Sequence, residues 1–280
     1  MEKRTWLITG VSSGFGYEIS RQLLARGERV VGTVRDRAKT AALQEKYPDT
    51  FDCELLDVTD VPAIHRLVGA AFEKYGRIDV VVSNAGYGLF GAAEELSDAE
   101  IDHIIATNLT GSIQLIRSAL PYLRRQGGGR VVQISTYGGQ VAFPGNSMYH
   151  ATKFGIEGFC ESVAQEVAPF GIGVTLVEPG GARTEFRYGS AKVAKLMPEY
   201  EGSPAHGFLK MLDSANGLAP GDPARMAARI IESVGREPAP LRMVLGSQAL
   251  ACTVSTLRAR LADFESQREL AASTDFPAGQ

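Results

Sequence analysis

Tyr149-His150-Ala151-Thr152-Lys153 sets a phenol and an ammonium four residues apart, which on a helix puts both on one face. Such a pair can handle a proton. A free tyrosine titrates at about 10, so acid–base work near neutrality needs its pKa lowered by up to ~3 units, or ~4 kcal/mol. A cation ~5 Å away at an effective dielectric of ~20 supplies ~3 kcal/mol of that. Tyr149 and Lys153 are therefore the candidate catalytic pair. The same spacing is common among surface side chains, so its context decides what it means.

A second constellation, Thr9-Gly10-Val11-Ser12-Ser13-Gly14-Phe15-Gly16, stands between a β-branched run and the first helical pattern. A tight turn there lets backbone N–H groups and a helix N-terminus meet a pyrophosphate, and glycine is needed because a Cβ would block the approach. Gly10, Ser12, Ser13, Gly14, Phe15 and Gly16 are the candidate phosphate-side residues. Gly10-Val11-Ser12-Ser13-Gly14 also matches the G-x-S-x-G nucleophile elbow of a hydrolase. That reading fails on chain order. Ser12 would follow the first strand, leaving no earlier loop for the second oxyanion N–H, and no histidine lies beyond His206 to complete a triad.

The elements that must position these groups alternate regularly. The β-branched runs are Trp6–Thr9, Val30–Val34, Asp52–Leu56, Ile78–Ser83, Arg130–Ser135, Val174–Glu178 and Arg242–Leu245. They predict seven strands in a parallel α/β sheet, with one domain over residues 1–280. Phe15, Ile19 and Leu23 mark a helix capped by Gly27, and Ser97-Asp98-Ala99-Glu100 has capping-box spacing. The helix it starts should reach about Leu120, ending before Pro121 or just beyond it. Another should run from about Ser147 to Ala168, stopped by Pro169 and Gly171. Residues 185–220 break the rhythm with Phe186, Tyr188, Met197, Tyr200, Phe208, Met211 and Leu212 among Gly, Pro and charge, the pattern of an insertion covering a substrate pocket. In 250–280, Leu250 to Leu270 reads as a C-terminal helix with Leu257, Leu261 and Phe264 on one face, and Ala271 to Gln280 as a frayed tail.

Composition narrows the function classes. At 280 residues and 44% hydrophobic the chain can bury a large core, and a net charge of -3 without basic clusters argues against nucleic acid or an anionic membrane as partner. Cys53, Cys160 and Cys252 are odd in number and lack metal-ligand spacing, which points to no metal, no disulfide framework and a reducing compartment. The N-terminus offers no signal h-region, and no apolar run reaches the ~20 residues of a membrane span, so the expected location is cytoplasmic.

Over residues 5 to 250 the sequence resembles the short-chain dehydrogenase/reductase family. The resemblance rests on Thr9 to Gly16, Asp57-Val58, Ser83-Asn84-Ala85-Gly86, Asn108 in Thr107-Asn108-Leu109-Thr110-Gly111, Ile134-Ser135-Thr136, Tyr149 to Lys153, and Pro179-Gly180-Gly181-Ala182-Arg183-Thr184. It implies a single-domain Rossmann fold whose doubly wound, mainly parallel sheet carries helices on both faces. It also implies a nicotinamide cofactor and a homodimer or homotetramer. By position, Asp57 and Val58 become adenine contacts, Asn84, Ala85 and Gly86 a turn under the cofactor, Pro179 and Gly180 part of its wall, and Thr184 a partner for the carboxamide. Lys153 would also hold the nicotinamide ribose, and Asn108 a water linking Lys153 to solvent.

Three positions depart from the family pattern. The usual serine, thirteen residues before the tyrosine, is Thr136, with Ser135 adjacent as the fallback. Ser83 replaces a frequent asparagine. The NAD-selecting acid at the end of the second strand is replaced by Val34, followed by Arg35, with Arg37 nearby; Arg35 can grip a 2′-phosphate, so NADP(H) is favoured over NAD(H), while Asp36 at the generic spacing pulls the other way. The expected activity is hydride transfer between NADP(H) and a carbonyl or secondary alcohol. Phe143, Met148, Phe186, Tyr188, Met197 and Tyr200 point to a bulky apolar small-molecule substrate. The alternative is a catalytically silent dinucleotide-binding redox sensor, which the Thr136 substitution keeps open.

Overall fold

The computed structural model describes residues 3–212 and 219–276, without the side chains of Arg187, Tyr188 and Met211. Residues 213–218 of the insertion, residues 277–280 of the tail, and the Tyr188 and Met211 side chains therefore lie outside the described residues. The strands are β1 (Thr5–Thr9), β2 (Arg29–Val34), β3 (Phe51–Leu55), β4 (Val80–Ser83), β5 (Leu89–Phe90), β6 (Gly129–Ile134), β7 (Ile172–Pro179), β8 (Lys192–Val193) and β9 (Arg242–Leu245). The helices are α1 (Gly14–Ala25), α2 (Ala41–Lys46), α3 (Val61–Tyr75), α4 (Asp98–Ile104), α5 (Gly111–Arg125), α6 (Ser147–Val167), α7 (Pro204–Leu212), α8 (Pro223–Ser233), α9 (Ser247–Ser266) and α10 (Arg268–Ala272). None of the helices among the described residues is long and apolar enough to cross a membrane.

Seven strands form one sheet in the order β3-β2-β1-β4-β6-β7-β9, every pair parallel. Strands covered on both faces need apolar residues throughout rather than alternation. Trp6, Leu7, Ile8, Val80, Val81 and Val82 are accordingly at most 1% exposed. Successive side chains point to opposite faces: Leu7, Val31 and Val81 join Leu115 and Ile156 in one core, whereas Ile8, Val30 and Val82 join Ile19 and Ile230 in the other. The sheet is thus the doubly wound α/β fold expected, and wholly parallel. Its winding reverses between β1 and β4, and a crevice outside the carboxyl ends of strands at such a switch point is where ligands bind.

Three features differ from the expectation. The helix beginning at the Ser97–Glu100 capping box is interrupted by a wide π turn over Ile105–Thr110. There Asn108 turns inward and bonds the main chain of Tyr87, a wound-out geometry that recurs at functional sites. Beyond it α5 runs through Pro121 to Arg125. Proline in a helix interior costs roughly 3 kcal/mol, but Pro121 and the Arg117 carbonyl it frees are on the exposed side, while Leu115, Ile116, Ala119 and Leu123 bury the opposite face. Secondly, the 185–220 insertion contributes β8, which pairs with β5 outside the main sheet. Two-residue strands carry too little pattern to be read in advance. Thirdly, the α9 stripe faces outward: Leu257, Leu261 and Phe264 are exposed, and only Ala249 and Thr253 of this helix are buried.

Candidate active site

At the carboxyl end of β1, Gly10 and Gly14 adopt φ of +73° and +58°, where an L side chain is strained. A Cβ on Gly16 would drive into the Gly10 carbonyl oxygen and the Asn84 amide. That amide, just past β4, donates to the carbonyls of Thr9 (2.8 Å) and Gly10 (3.0 Å). Thr9 Oγ1 in turn accepts from the N–H groups of Asn84 (3.0 Å) and Ala85 (3.1 Å). The buried Thr9 hydroxyl therefore ties the glycine turn to the Asn84-Ala85-Gly86 turn across the switch point, a role its place in the motif does not announce.

The N-terminus of α1 is left open. Ser13 precedes it without a side-chain cap, and no acid stands in its first turn. Its leading N–H groups and positive dipole end therefore face a hollow of about 410 Å³ walled by Ser12, Ser13, Gly14, Tyr17, Arg183 and Thr184, with Glu18 and Glu185 also lining it. Glu18 is engaged by Arg21 at 2.8 Å. Donor N–H groups, two serine hydroxyls, an arginine and a Cβ-free floor fit a dinucleotide pyrophosphate. Thr184 lies over Gly14, its Cβ 3.7 Å from where a Gly14 Cβ would stand, and Phe15 follows in the first turn of the helix. A larger hollow of about 670 Å³, between α3 and the end of α5, shares no residue with this site.

Two loops extend the crevice. Asp57 Oδ1 accepts from Thr59 N (2.9 Å) and Oγ1 (2.7 Å), which hold its carboxyl below the usual range, with Arg35 adding a smaller pull; Val58 follows and packs under Gly111. At the end of β2, Val34 is buried and Arg35 exposed. Asp36 is spent locally, accepting from Ala38 N at 3.0 Å to cap the turn Arg37–Thr40, and Arg37 bonds Glu54 at 3.3 Å.

The α6 helix brings the other constellation to the mouth of the crevice. Tyr149 and Lys153 are both buried, with Lys153 Nζ 5.8 Å from the Tyr149 ring centre. Nζ donates to the Ile134 carbonyl at 3.0 Å, and burial pulls the Lys153 pKa down to about 8. The lowering of the Tyr149 pKa expected from this neighbour is not present in the free protein. Burial raises it, and the neighbouring Thr136 side chain pulls weakly the other way. The reason is geometric: the ammonium is held by a main-chain carbonyl below the ring rather than by the phenol.

Thr136, just after β6, lies on the Tyr149 side. Its Oγ1 donates to the Pro179 carbonyl at 3.3 Å and accepts from Gly138 N at 3.2 Å. Gly180, next along, donates its N–H to Leu245 at 2.8 Å, which fixes the β7 end. Ser135 Oγ is instead buried on the Gly139–Glu157 side without a hydrogen-bond partner. Asn108 lies beneath, donating to Tyr87 O (2.8 Å) and Thr152 Oγ1 (3.4 Å) and accepting from Tyr87 N (3.0 Å), and a Cβ on Gly86 would approach its Oδ1 to 3.1 Å. These bonds fix the Asn108 amide between the Tyr87 loop and α6.

An aromatic wall surrounds the phenol. Ring centres step from Tyr137 to Phe143 (5.6 Å), Phe143 to Phe208 (6.5 Å), Phe208 to Phe90 (5.8 Å), Phe90 to Tyr149 (6.1 Å) and Tyr149 to Phe186 (5.7 Å). Met148 packs nearby. Phe90 and Tyr137 escaped the sequence reading because Phe90 lies in a two-residue strand and Tyr137 in a three-residue turn, both too short to show a pattern. Of the expected wall residues, the Tyr200 hydroxyl donates to Glu94 at 2.8 Å, and the main-chain N–H of Met197 donates to Glu95 at 2.7 Å. Glu95, buried, also accepts from His206 and Ala92 N at 2.7 Å each, fastening the insertion over the wall.

A glycine turn at the switch point of a parallel sheet, beside a buried Tyr/Lys pair, defines a dinucleotide-linked oxidoreductase acting at CH–OH or C=O. The chain belongs to the short chain dehydrogenase family, whose model matches residues 4–193. It is 33% identical to Oxidoreductase BOA17 of Botryotinia fuckeliana (strain B05.10), covering 95% of this chain and 97% of that protein. It is 35% identical to human 17-beta-hydroxysteroid dehydrogenase type 1 over 66% of this chain and 59% of that protein. A short-chain dehydrogenase from Streptomyces avermitilis has a solved structure that superposes with a TM-score of 0.91 at 38% identity, covering 98% and 99% of the two chains.

Proposed function

We propose that this protein interconverts a bulky, apolar ketone or aldehyde with its alcohol, preferring NADP(H) to NAD(H), with Tyr149 as the acid–base residue. The observation that carries the reading is Tyr149 itself, a buried phenol with Thr136 beside it, set among Phe90, Phe186 and the Phe143–Phe208 stack. An apolar wall with a few convergent polar groups is how a small-molecule site binds a greasy substrate and orients its one reactive oxygen. The hydroxysteroid in the name of one relative is a substrate of that kind.

A nicotinamide held at the crevice would supply the hydride for reduction or take it in oxidation, and the positive charge of its oxidised form would favour the ionised phenol. Tyr149 delivers a proton to the substrate oxygen, Thr136 donates a second hydrogen bond to it, and Lys153 restores the Tyr149 proton and holds the ribose. Reduction needs the proton on Tyr149–Lys153 and oxidation needs it gone. With Lys153 at about 8, kcat/KM for reduction should fall, and for oxidation rise, as pH climbs through that region. Opposed limbs measured with one carbonyl and its alcohol support the assignment; parallel limbs contradict it.

The cofactor preference rests on Arg35, exposed beside the crevice while Asp36 is consumed as a turn cap. An arginine on a doubly ionised phosphate is worth roughly 1.5 to 3 kcal/mol, or about 10- to 150-fold in affinity. NADPH should bind tighter than NADH by that factor, and Arg35→Ala should erase most of the difference with little change for NADH. Fluorescence titration of both reduced cofactors checks this, and tighter NADH binding by the unmodified protein overturns it.

A further inference from the structure

One helical turn past Lys153, on the same face of α6, lies Glu157. Its side chain is 4% exposed, and that of Glu178, near the end of β7, is 1%. One cation serves both: Arg242 Nε is 3.4 Å from Glu157 Oε2 and 3.2 Å from Glu178 Oε1, while Arg242 Nη2 turns outward to Glu161 at 3.0 Å. Gln140 donates to Glu157 Oε2 at 3.1 Å. Glu157 Oε1, both oxygens of Glu178 and Ser135 Oγ are nonetheless buried without a well-aligned hydrogen-bond partner.

Orphaned oxygens on two neighbouring buried carboxyls call for a proton. Lys153 and Arg242 bring two positive charges to this cluster, whereas Glu157, Glu161 and Glu178 would bring three negative ones if all were ionised. Two carboxyls sharing a buried site cannot both ionise readily, and one retained proton pairs the oxygens and balances the charges. We infer that Glu157 and Glu178 share one proton behind the active site and act as a positioning pair that keeps Lys153 in its charged form. This rests on the role proposed for Lys153.

The surroundings agree. Burial, then the Glu157 charge, lift Glu178 to about 8, and Glu157 opposes the burial that lowers Lys153. The groups facing the pair are Lys153, Cys160 and Glu161 on α6, Ser135 after β6, Gln140 in the following turn, and Arg242 on β9. The Cys160 thiol is pushed up to about 12 and stays neutral. As pH rises the pair releases its proton and doubles its negative charge, in the range where Lys153 would otherwise discharge.

The alkaline limb of kcat/KM for carbonyl reduction reads this coupling. Glu157→Gln should move the limb down by about one pH unit and Glu178→Gln by less in the same direction, since a neighbouring charge is worth about one to three units. Arg242→Gln, which removes a cation, should move it up. Limbs that stay put in all three variants, or losses of activity that only follow melting temperature, overturn the inference. Infrared spectroscopy of the unliganded wild-type protein tests it without turnover or mutation. A protonated-carboxyl band should be present at neutral pH and vanish as pH passes about 8; its absence at neutral pH rejects the shared proton. A wild-type protein with no turnover but with the band would instead remove the reading of Lys153.

Discussion

Tyr149→Phe should lower kcat by about 10² to 10⁴, the worth of a general acid–base group, while affinity for the reduced cofactor stays unchanged. The substitution deletes one oxygen and leaves the ring between Phe90 and Phe186, so the packing of the wall persists. The lost hydroxyl is the one beside Thr136. Steady-state turnover with a cofactor titration on the same preparation separates the two quantities. Turnover at the wild-type rate would mean that another group carries the proton.

Thr136→Val should lower kcat by about 10² to 10³, the cost of removing one preorganised donor to a reacting oxygen, whereas Thr136→Ser should keep most of the activity. The valine also removes the acceptor for Gly138 N, so a loss of about 1 kcal/mol in stability should accompany it, as for other lost caps. Ser135→Ala serves as the control. Its Oγ has no hydrogen-bond partner to lose, and activity should stay near the wild-type level. The reverse outcome, a silent valine and a dead alanine, would move the hydroxyl donor one residue back.

What was legible in the sequence is what depends on local period and on glycine. Leu7 and Ile8 serve opposite cores, so continuous apolar runs identified every strand of the main sheet. The turn from Gly10 to Gly16 was readable because only glycine survives the positive φ at Gly10 and Gly14 and the close approach at Gly16. The four-residue spacing of Tyr149 and Lys153 became one helix face. The direction of the Tyr149 pKa was not legible, since it depends on burial and on where Nζ points, both set by distant strands. The π turn around Asn108 was hidden because one added residue shifts the helical register without changing the apolar composition. The anchoring of the Tyr200 hydroxyl by Glu94 and of the Met197 main chain by Glu95, about a hundred positions earlier in the chain, was not legible, since no local pattern links residues so far apart.

Turnover is the most direct test of the central claim. The protein should be mixed with NADPH and a panel of steroid-like and aromatic ketones and aldehydes, following the nicotinamide absorbance, with Tyr149→Phe as the parallel sample. At least one carbonyl should be consumed in step with NADPH by the wild-type protein and at least a hundredfold more slowly by the variant. Tight NADPH binding with no carbonyl reduced, or equal rates in the two proteins, would contradict the account.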